Sequence, residues 1–383
     1  MERQQLLMLP GPTNVPPRVM RAMMRPTINH RGPEFEKLYE DILENLKYAF
    51  QTHGDVFPIS ASGTGGVECA VGNLVCPDDR ILVPVHGVFS QRVKETVEAF
   101  GGKVVQLPVD WTTAPSVEQI DEVMEKEKDI KASILVYNET STGVTVRDLR
   151  RIGEVVKRHG SLFVVDAISI LGGDELPVDD WHVDVCITGS QKCLACPPGL
   201  ALISVSEDGW RTITRDKDRR HVYYLDLLKT KDSASKKETP FTPSLPLYFA
   251  LDEALKILRE EGLENRIARH KKCANAFYDA LHALGLSTYP EEVNRSNTVI
   301  ATNNPKGIED RAIRDSMRQK HNIVVGGGMG KLRGAMFRIG CMGIISEAEV
   351  TATVAALELT LYDLGYPVTL GTGLKKTREV FHA

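Results

Sequence analysis

Lys192 closes the segment Gly189-Ser190-Gln191-Lys192, which follows the strand-like run Asp184–Thr188. Asp166 ends a second apolar run, Leu162–Asp166, earlier in the chain. An amine and a carboxylate at two strand ends suit an aldehyde cofactor that carries a pyridine nitrogen. The lysine forms the imine, and the acid keeps the nitrogen protonated so that the ring withdraws electrons. Taken alone, each residue has a plainer reading: a surface lysine after a strand, and a cap for Ala167-Ile168-Ser169.

Three further segments bear on this chemistry. Ser60–Glu68 is rich in small residues and runs from a short apolar stretch into a helical pattern. Small residues let backbone N–H groups approach an anion, and a helix N-terminus favours negative charge, so a phosphate is the expected guest. No Lys-Ser or Lys-Thr pair closes it, which excludes a Walker loop; a plain glycine-rich turn is the alternative. Arg338 lies in the apolar run Met336–Gly340. An arginine so placed needs an anionic partner, either a substrate carboxylate gripped bidentately or an internal salt bridge. Cys193 and Cys196 form half of a zinc pattern with no second pair at matching spacing, and no metal is expected. Gly326-Gly327-Gly328 lacks a dinucleotide fingerprint, and His30-Arg31-Gly32 reads as a polar turn before a helix starting near Glu34.

The elements that must position these residues alternate. Strand patterns cover Ile81–Val85, Lys103–Val109, Ala132–Tyr137, Leu162–Asp166, Asp184–Thr188 and Leu200–Val205, with helical stretches such as Ser90–Phe100 and Arg147–His159 between them. This predicts an α/β fold with a mostly parallel sheet, whose ligands bind beyond the carboxyl ends of the strands. Asp232–Glu238 reads as a mobile loop before the turn Thr239–Pro243. Helices over Leu245–Arg259 and Leu263–Leu284 precede a strand, helix, strand, strand, helix succession ending near Leu364, a smaller α+β unit. Gly371–Ala383 reads as a loose tail. Two domains are expected from the 383 residues, a large one over 20–262 and a small one over 263–383, with 1–19 packing near the active site.

Composition narrows the partners. A formal net charge of -4 gives no electrostatic reason for nucleic acid binding. No apolar run is long enough to span a membrane, and the first residues lack a signal-peptide layout. Seven cysteines scattered through strands and helices fit a reducing, cytoplasmic setting.

Together the segments Ser62-Gly63-Thr64, Glu139–Gly143, Val165-Asp166-Ala167, Gly189–Lys192 and Phe337–Gly340 resemble, in order, the class V aminotransferases of pyridoxal phosphate fold type I, in the alanine–glyoxylate or serine–pyruvate group. The resemblance runs from Leu9–Thr13 to the last helix, and the wording of several segments looks archaeal. It implies that Lys192 carries pyridoxal phosphate and shuttles the proton, and that Asp166 pairs with the ring nitrogen. It implies a phosphate held by Ser62, Gly63, Thr64 and Gln191, a ring hydroxyl bonded to Thr140, and a ring pressed between Phe89 and Ile168. Arg338 would bind the substrate carboxylate. Thr242 would reach the phosphate in the neighbouring subunit of a homodimer. The implied reaction is ping-pong transamination between a small 2-amino acid, alanine or serine, and a 2-oxo acid, glyoxylate or pyruvate. Aspartate or phosphoserine is the alternative donor, with His30-Arg31 available to a substrate phosphate. A cysteine desulfurase fits less well, because Gln191 stands where those relatives commonly carry His. A cofactor-binding regulator fits less well because no DNA-binding segment is present.

Overall fold

The computed structural model describes residues 5–382. Its larger sheet has seven strands in the order Asp55–Ser60, Leu200–Val205, Val185–Gly189, Leu162–Asp166, Ile130–Val136, Arg80–Val85 and Lys103–Pro108. All run parallel except Leu200–Val205, which is antiparallel to both neighbours. The six parallel strands therefore open their carboxyl ends onto one edge, where an α/β sheet presents its ligands. Two apolar clusters, one on each face, bury this sheet beneath helices. The inner strands are accordingly continuous apolar runs; Leu162–Asp166 and Leu200–Val205 are buried at every residue.

A second sheet has four strands in the order Leu6–Met8, Ile323–Gly327, Met336–Gly340 and Val299–Asn303. The first pairing is parallel and the other two are antiparallel. A third apolar cluster joins this sheet to the helices Leu263–Ala283, Asp310–His321 and Glu347–Asp363. The N-terminal strand was not foreseen, because three residues carry too little periodicity to be read. Met1–Gln4 of the expected N-terminal segment lie outside the described residues. Among the described residues no helix is long and apolar enough to cross a membrane.

Two expectations are corrected. Most of the expected loop Asp232–Glu238 belongs to the helix Leu227–Ser235, started by Asp226, whose side chain accepts from the Leu228 N–H at 2.9 Å. Leu227 and Thr230 bury its inner side, and the following turn is tied down by Lys237–Glu40 and Arg31–Glu238 ion pairs. The expected loose tail is the helix Thr372–His382. Buried Glu358 accepts from the Gly373 N–H at 3.2 Å, and Leu374, Val380 and Phe381 pack on the third cluster. Both segments are polar overall, so composition concealed a narrow buried stripe.

Ending the chain before Thr372 should therefore lower stability by about 3 kcal/mol, taking roughly 1 kcal/mol for each half-buried apolar side chain lost. A urea titration with an unchanged midpoint would show the tail to be unattached.

Candidate active site

The register of the larger sheet brings the acid and the amine together. Asp166 pairs with Ile187 of the adjacent parallel strand, and Lys192 leaves the loop that follows that strand. On the other side Val136 pairs with Asp166, so Asn138 and Thr140 emerge at the same edge. Ser60 pairs with Leu200 and Gly189 with Ala201, which sets the start of the helix Gly63–Leu74 beside the lysine loop. The result is one cleft of about 190 Å3. Ser62, Gly63, Thr64 and Gln191 line one end, and Phe89, Thr140, Asp166, Ile168 and Lys192 line the rest.

The anion end is built from backbone. Ser62 caps the helix, its hydroxyl accepting from the Gly65 N–H at 3.2 Å. A first helical turn has no intrahelical acceptor for its N–H groups, so those of Gly63 and Thr64 are free for an anion. Glycine at 63 is a packing requirement, since a Cβ there would lie 2.9 Å from Ile168 Cδ1. A Cβ on Gly66 would meet Ile187 and Ala201 at 2.7 and 2.9 Å, so the helix sits close on the sheet. The buried Gln191 Oε1 has no partner among the described residues.

Asp166 accepts from the Ile168 N–H at 2.9 Å. Burial pushes its carboxyl up to about 7, against that hydrogen bond, and Glu139 adds to the rise. The Lys192 amine opposes the rise only weakly, as the smallest of these effects. Burial likewise brings the Lys192 amine down to about 8, with Arg338 lowering it further and Cys193 and Asp166 opposing. Its Nζ donates to the Pro10 carbonyl. Gly11 has φ +85 and a Cβ there would fall 2.6 Å from Nζ, so this close approach requires glycine.

Glu139 was overlooked as a single residue. It is fully buried and accepts from Phe89 N at 3.1 Å, Ser90 N at 2.9 Å, Ser90 Oγ at 3.0 Å and Ser141 Oγ at 2.6 Å. It thus closes the start of the helix Val88–Ala99, the first turn of which carries Phe89. Thr140 Oγ1 donates to Ser169 Oγ at 2.7 Å, and Asn138 Nδ2 donates to the same oxygen at 2.8 Å. Arg92, also overlooked, lines the cleft and lies over the Phe89 ring at 4.8 Å.

Arg338 is buried without a carboxylate partner. Nε and one terminal nitrogen donate to the Gly327 carbonyl at 2.9 and 2.7 Å, and the other donates to the Thr140 carbonyl at 2.7 Å. No described acid forms the internal salt bridge that was the alternative reading, and burial brings its guanidinium down to about 10. Thr242 is not in this cleft. It is exposed and lines a separate recess with Tyr224 and Phe241. His30-Arg31 is a turn: Arg31 N donates to Asn29 Oδ1 at 3.0 Å, and its guanidinium is engaged by Glu238 and the Thr239 carbonyl. Cys193 and Cys196 are both buried in different apolar clusters.

Comparison with known proteins decides the family. The model of the family described as "Aminotransferase class-V" matches residues 6–345. The chain belongs to the class V aminotransferases. An uncharacterized aminotransferase of Methanocaldococcus jannaschii is 45% identical, over 98% of this chain and 97% of the relative. A serine–glyoxylate aminotransferase of Methylorubrum extorquens is 37% identical, over 96% and 94%. The crystal structure of the ureidoglycine–glyoxylate aminotransferase of Bacillus subtilis superposes with a TM-score of 0.96 at 30% identity, covering 100% of this chain and 99% of that one.

This class V aminotransferase is a pyridoxal phosphate enzyme of the type I fold. The cleft fits that cofactor on its own terms: helix N–H groups for a phosphate, an amine brought down to about 8 for an aldehyde, and a buried acid that a cationic ring nitrogen would relieve.

The Asp166 carboxyl has an ordinary value of 3.8 and a folded value of about 7, so the folded protein binds its proton more tightly between them. The associated stability is complete below pH 3.8 and is lost as pH rises through 7. Asp166→Asn should stabilise the cofactor-free protein above pH 7, on the order of 4 kcal/mol at 1.36 kcal/mol per pKa unit. The gain should shrink toward pH 5. Urea midpoints at both pH values measure it; a gain independent of pH would contradict the burial of this charge.

Proposed function

We propose that the enzyme transfers the amino group of a small 2-amino acid, alanine or serine, to glyoxylate or pyruvate by a ping-pong mechanism. The single observation that carries the reading is the juxtaposition of Lys192 and Asp166 in one cleft beside an unpaired, buried Arg338. Glyoxylate is supported by the names of the relatives from Methylorubrum and Bacillus, and serine by the former.

Bound there, pyridoxal phosphate supplies an aldehyde carbon for the amino group and a ring that accepts the electron pair left by the departing proton. Lys192 anchors the cofactor, and its freed amine moves the proton from the substrate's Cα; an amine near pH 8 serves as base and acid. Asp166 keeps the proton on the ring nitrogen. Gly63, Thr64, Ser62 and Gln191 hold the phosphate, Thr140 the ring hydroxyl, and Phe89 and Ile168 the two ring faces. Arg338 takes the α-carboxylate; its two end N–H groups not committed to Gly327 and Thr140 can grip it bidentately.

The same reading makes the chain a homodimer in which Thr242 faces the neighbouring cofactor. Tyr223 and Tyr224 support it: they stand 73% and 50% exposed, Tyr224 lines the Thr242 recess and stacks on Phe241, and Tyr223 lies tilted against the same ring. The two sheets, each with its own apolar cluster, support a large unit over 20–262 and a small one over 263–383. Seven buried thiols suit a cytoplasmic setting.

Two experiments follow. Purified protein should be assayed as separate half-reactions, each donor without acceptor and each acceptor without donor. Stoichiometric turnover of alanine or serine alone, and of glyoxylate alone on the aminated form, is expected. A requirement for both substrates together, or preference for aspartate or phosphoserine, would overturn the assignment. Arg338→Lys should raise the KM for donor and acceptor alike by about tenfold to a hundredfold, the loss of one or two charge-assisted hydrogen bonds. The bound cofactor's spectrum should be unchanged. Unaltered KM values would leave Arg338 a structural residue.

A further inference from the structure

The loop that carries Lys192 is held by its carbonyls. Gln191 O accepts from Thr13 N at 3.2 Å, and Lys192 O from Ala195 N at 2.9 Å and Thr13 Oγ1 at 3.4 Å. Cys193 O accepts from a charged donor: Arg266 Nη1 lies at 3.3 Å. Arg266 sits in the first turns of the helix Leu263–Ala283 and is only 1% exposed. Its Nε donates to Glu261 Oε2 at 2.7 Å.

Glu261 does not serve Arg266 alone. It also accepts from Arg269 Nε at 2.6 Å and Nη2 at 3.0 Å. Arg269 in turn donates to the Ile345 carbonyl and, at 3.2 Å, to that of Gly343. Gly343 lies shortly beyond the Arg338 strand and has φ +77. A Cβ there would stand 3.1 Å from Thr13 Oγ1 and 3.3 Å from Ala195 Cβ, so this segment rests directly on the lysine loop. One carboxylate and two guanidinium groups therefore join the carbonyl next to Lys192 to the segment that follows Arg338.

Stability by itself does not require charged groups here. Buried ion pairs are commonly replaceable by apolar side chains without loss, because desolvation offsets their attraction. A planar fork held by a carboxylate does what apolar packing does not: it fixes the direction of a carbonyl. Direction matters for a lysine that must reach a carbon and a proton in turn, where misplacement by about 1 Å costs about a hundredfold.

We propose that Arg266, held by Glu261, is a positioning residue that sets the direction in which Lys192 leaves its loop, and that Arg269 ties this loop to the Arg338 segment. The inference rests on the reading that Lys192 bonds the cofactor.

The test separates bonding from binding. Cofactor-free protein captures pyridoxal phosphate with a change in absorbance as the lysine bonds to it. Pyridoxamine 5′-phosphate has no aldehyde, so its affinity reports the pocket without the lysine. The paired variant Arg266→Met with Glu261→Gln removes the Arg266–Glu261 pair and leaves Arg269, about a quarter exposed, with its carbonyl partners at Ile345 and Gly343. It should slow capture by about tenfold to a hundredfold, while pyridoxamine phosphate affinity stays within about threefold. Arg266→Lys, which keeps the charge but not the fork, should fall between. Capture within about threefold of wild type, or parallel loss of capture and affinity, would overturn the proposal. If the paired variant does not fold, Arg266→Lys and Glu261→Gln must show the same split or the proposal fails. Lys192→Ala separates the two readings. If it still forms a borohydride-stable adduct, the lysine assignment is wrong. If it forms none while the Arg266 variants capture normally, only the positioning role is wrong.

Discussion

Two neighbouring parallel strands end in the same cleft, and the register between them pairs Asp166 with Ile187. That pairing sets a carboxylate beside a loop carrying an amine, both withdrawn from water. The rest of the molecule answers the cost of this arrangement. Burial raises the acid toward 7 and lowers the amine toward 8, each away from its charged form. A ligand with a protonated nitrogen and an aldehyde would relieve both groups at once. The site is thus primed by desolvation, and its chemistry follows from what it lacks.

The same logic extends outward. Arg338 lies buried with carbonyl partners only, so it too gains from an incoming anion. Glu139, by contrast, is saturated with donors from the start of the helix Val88–Ala99 and from Ser141. It holds the scaffold and has no free lone pairs to offer a substrate. This division between satisfied groups that position and unsatisfied groups that bind distinguishes the frame from the working residues.

Much of the larger sheet and its edge was legible in the sequence, because buried parallel strands read as unbroken apolar runs and their chemistry stands at the ends. Lys192, Asp166 and the Ser62–Thr64 turn were visible for that reason. Other residues were hidden for physical reasons. Glu139 follows an apolar run and reads as a polar residue leaving a strand; its role as an acceptor for a distant helix start is tertiary. Arg266 falls in a charged helix that looks like any solvated surface, and only packing shows it buried. Leu227–Ser235 and Thr372–His382 are helices whose buried stripes are too narrow to offset a polar composition. Thr242 stands outside the cleft of its own chain, where no reading of one sequence's periodicity would bring it.

The central claim is that Lys192, and no other lysine, bonds the cofactor. Purified enzyme reduced with borohydride, digested and mapped by mass spectrometry tests it directly. One pyridoxyl-modified peptide spanning Gly189–Lys192 is the result this account predicts. Modification of a different lysine, or protein that takes up no label from pyridoxal phosphate, would contradict it.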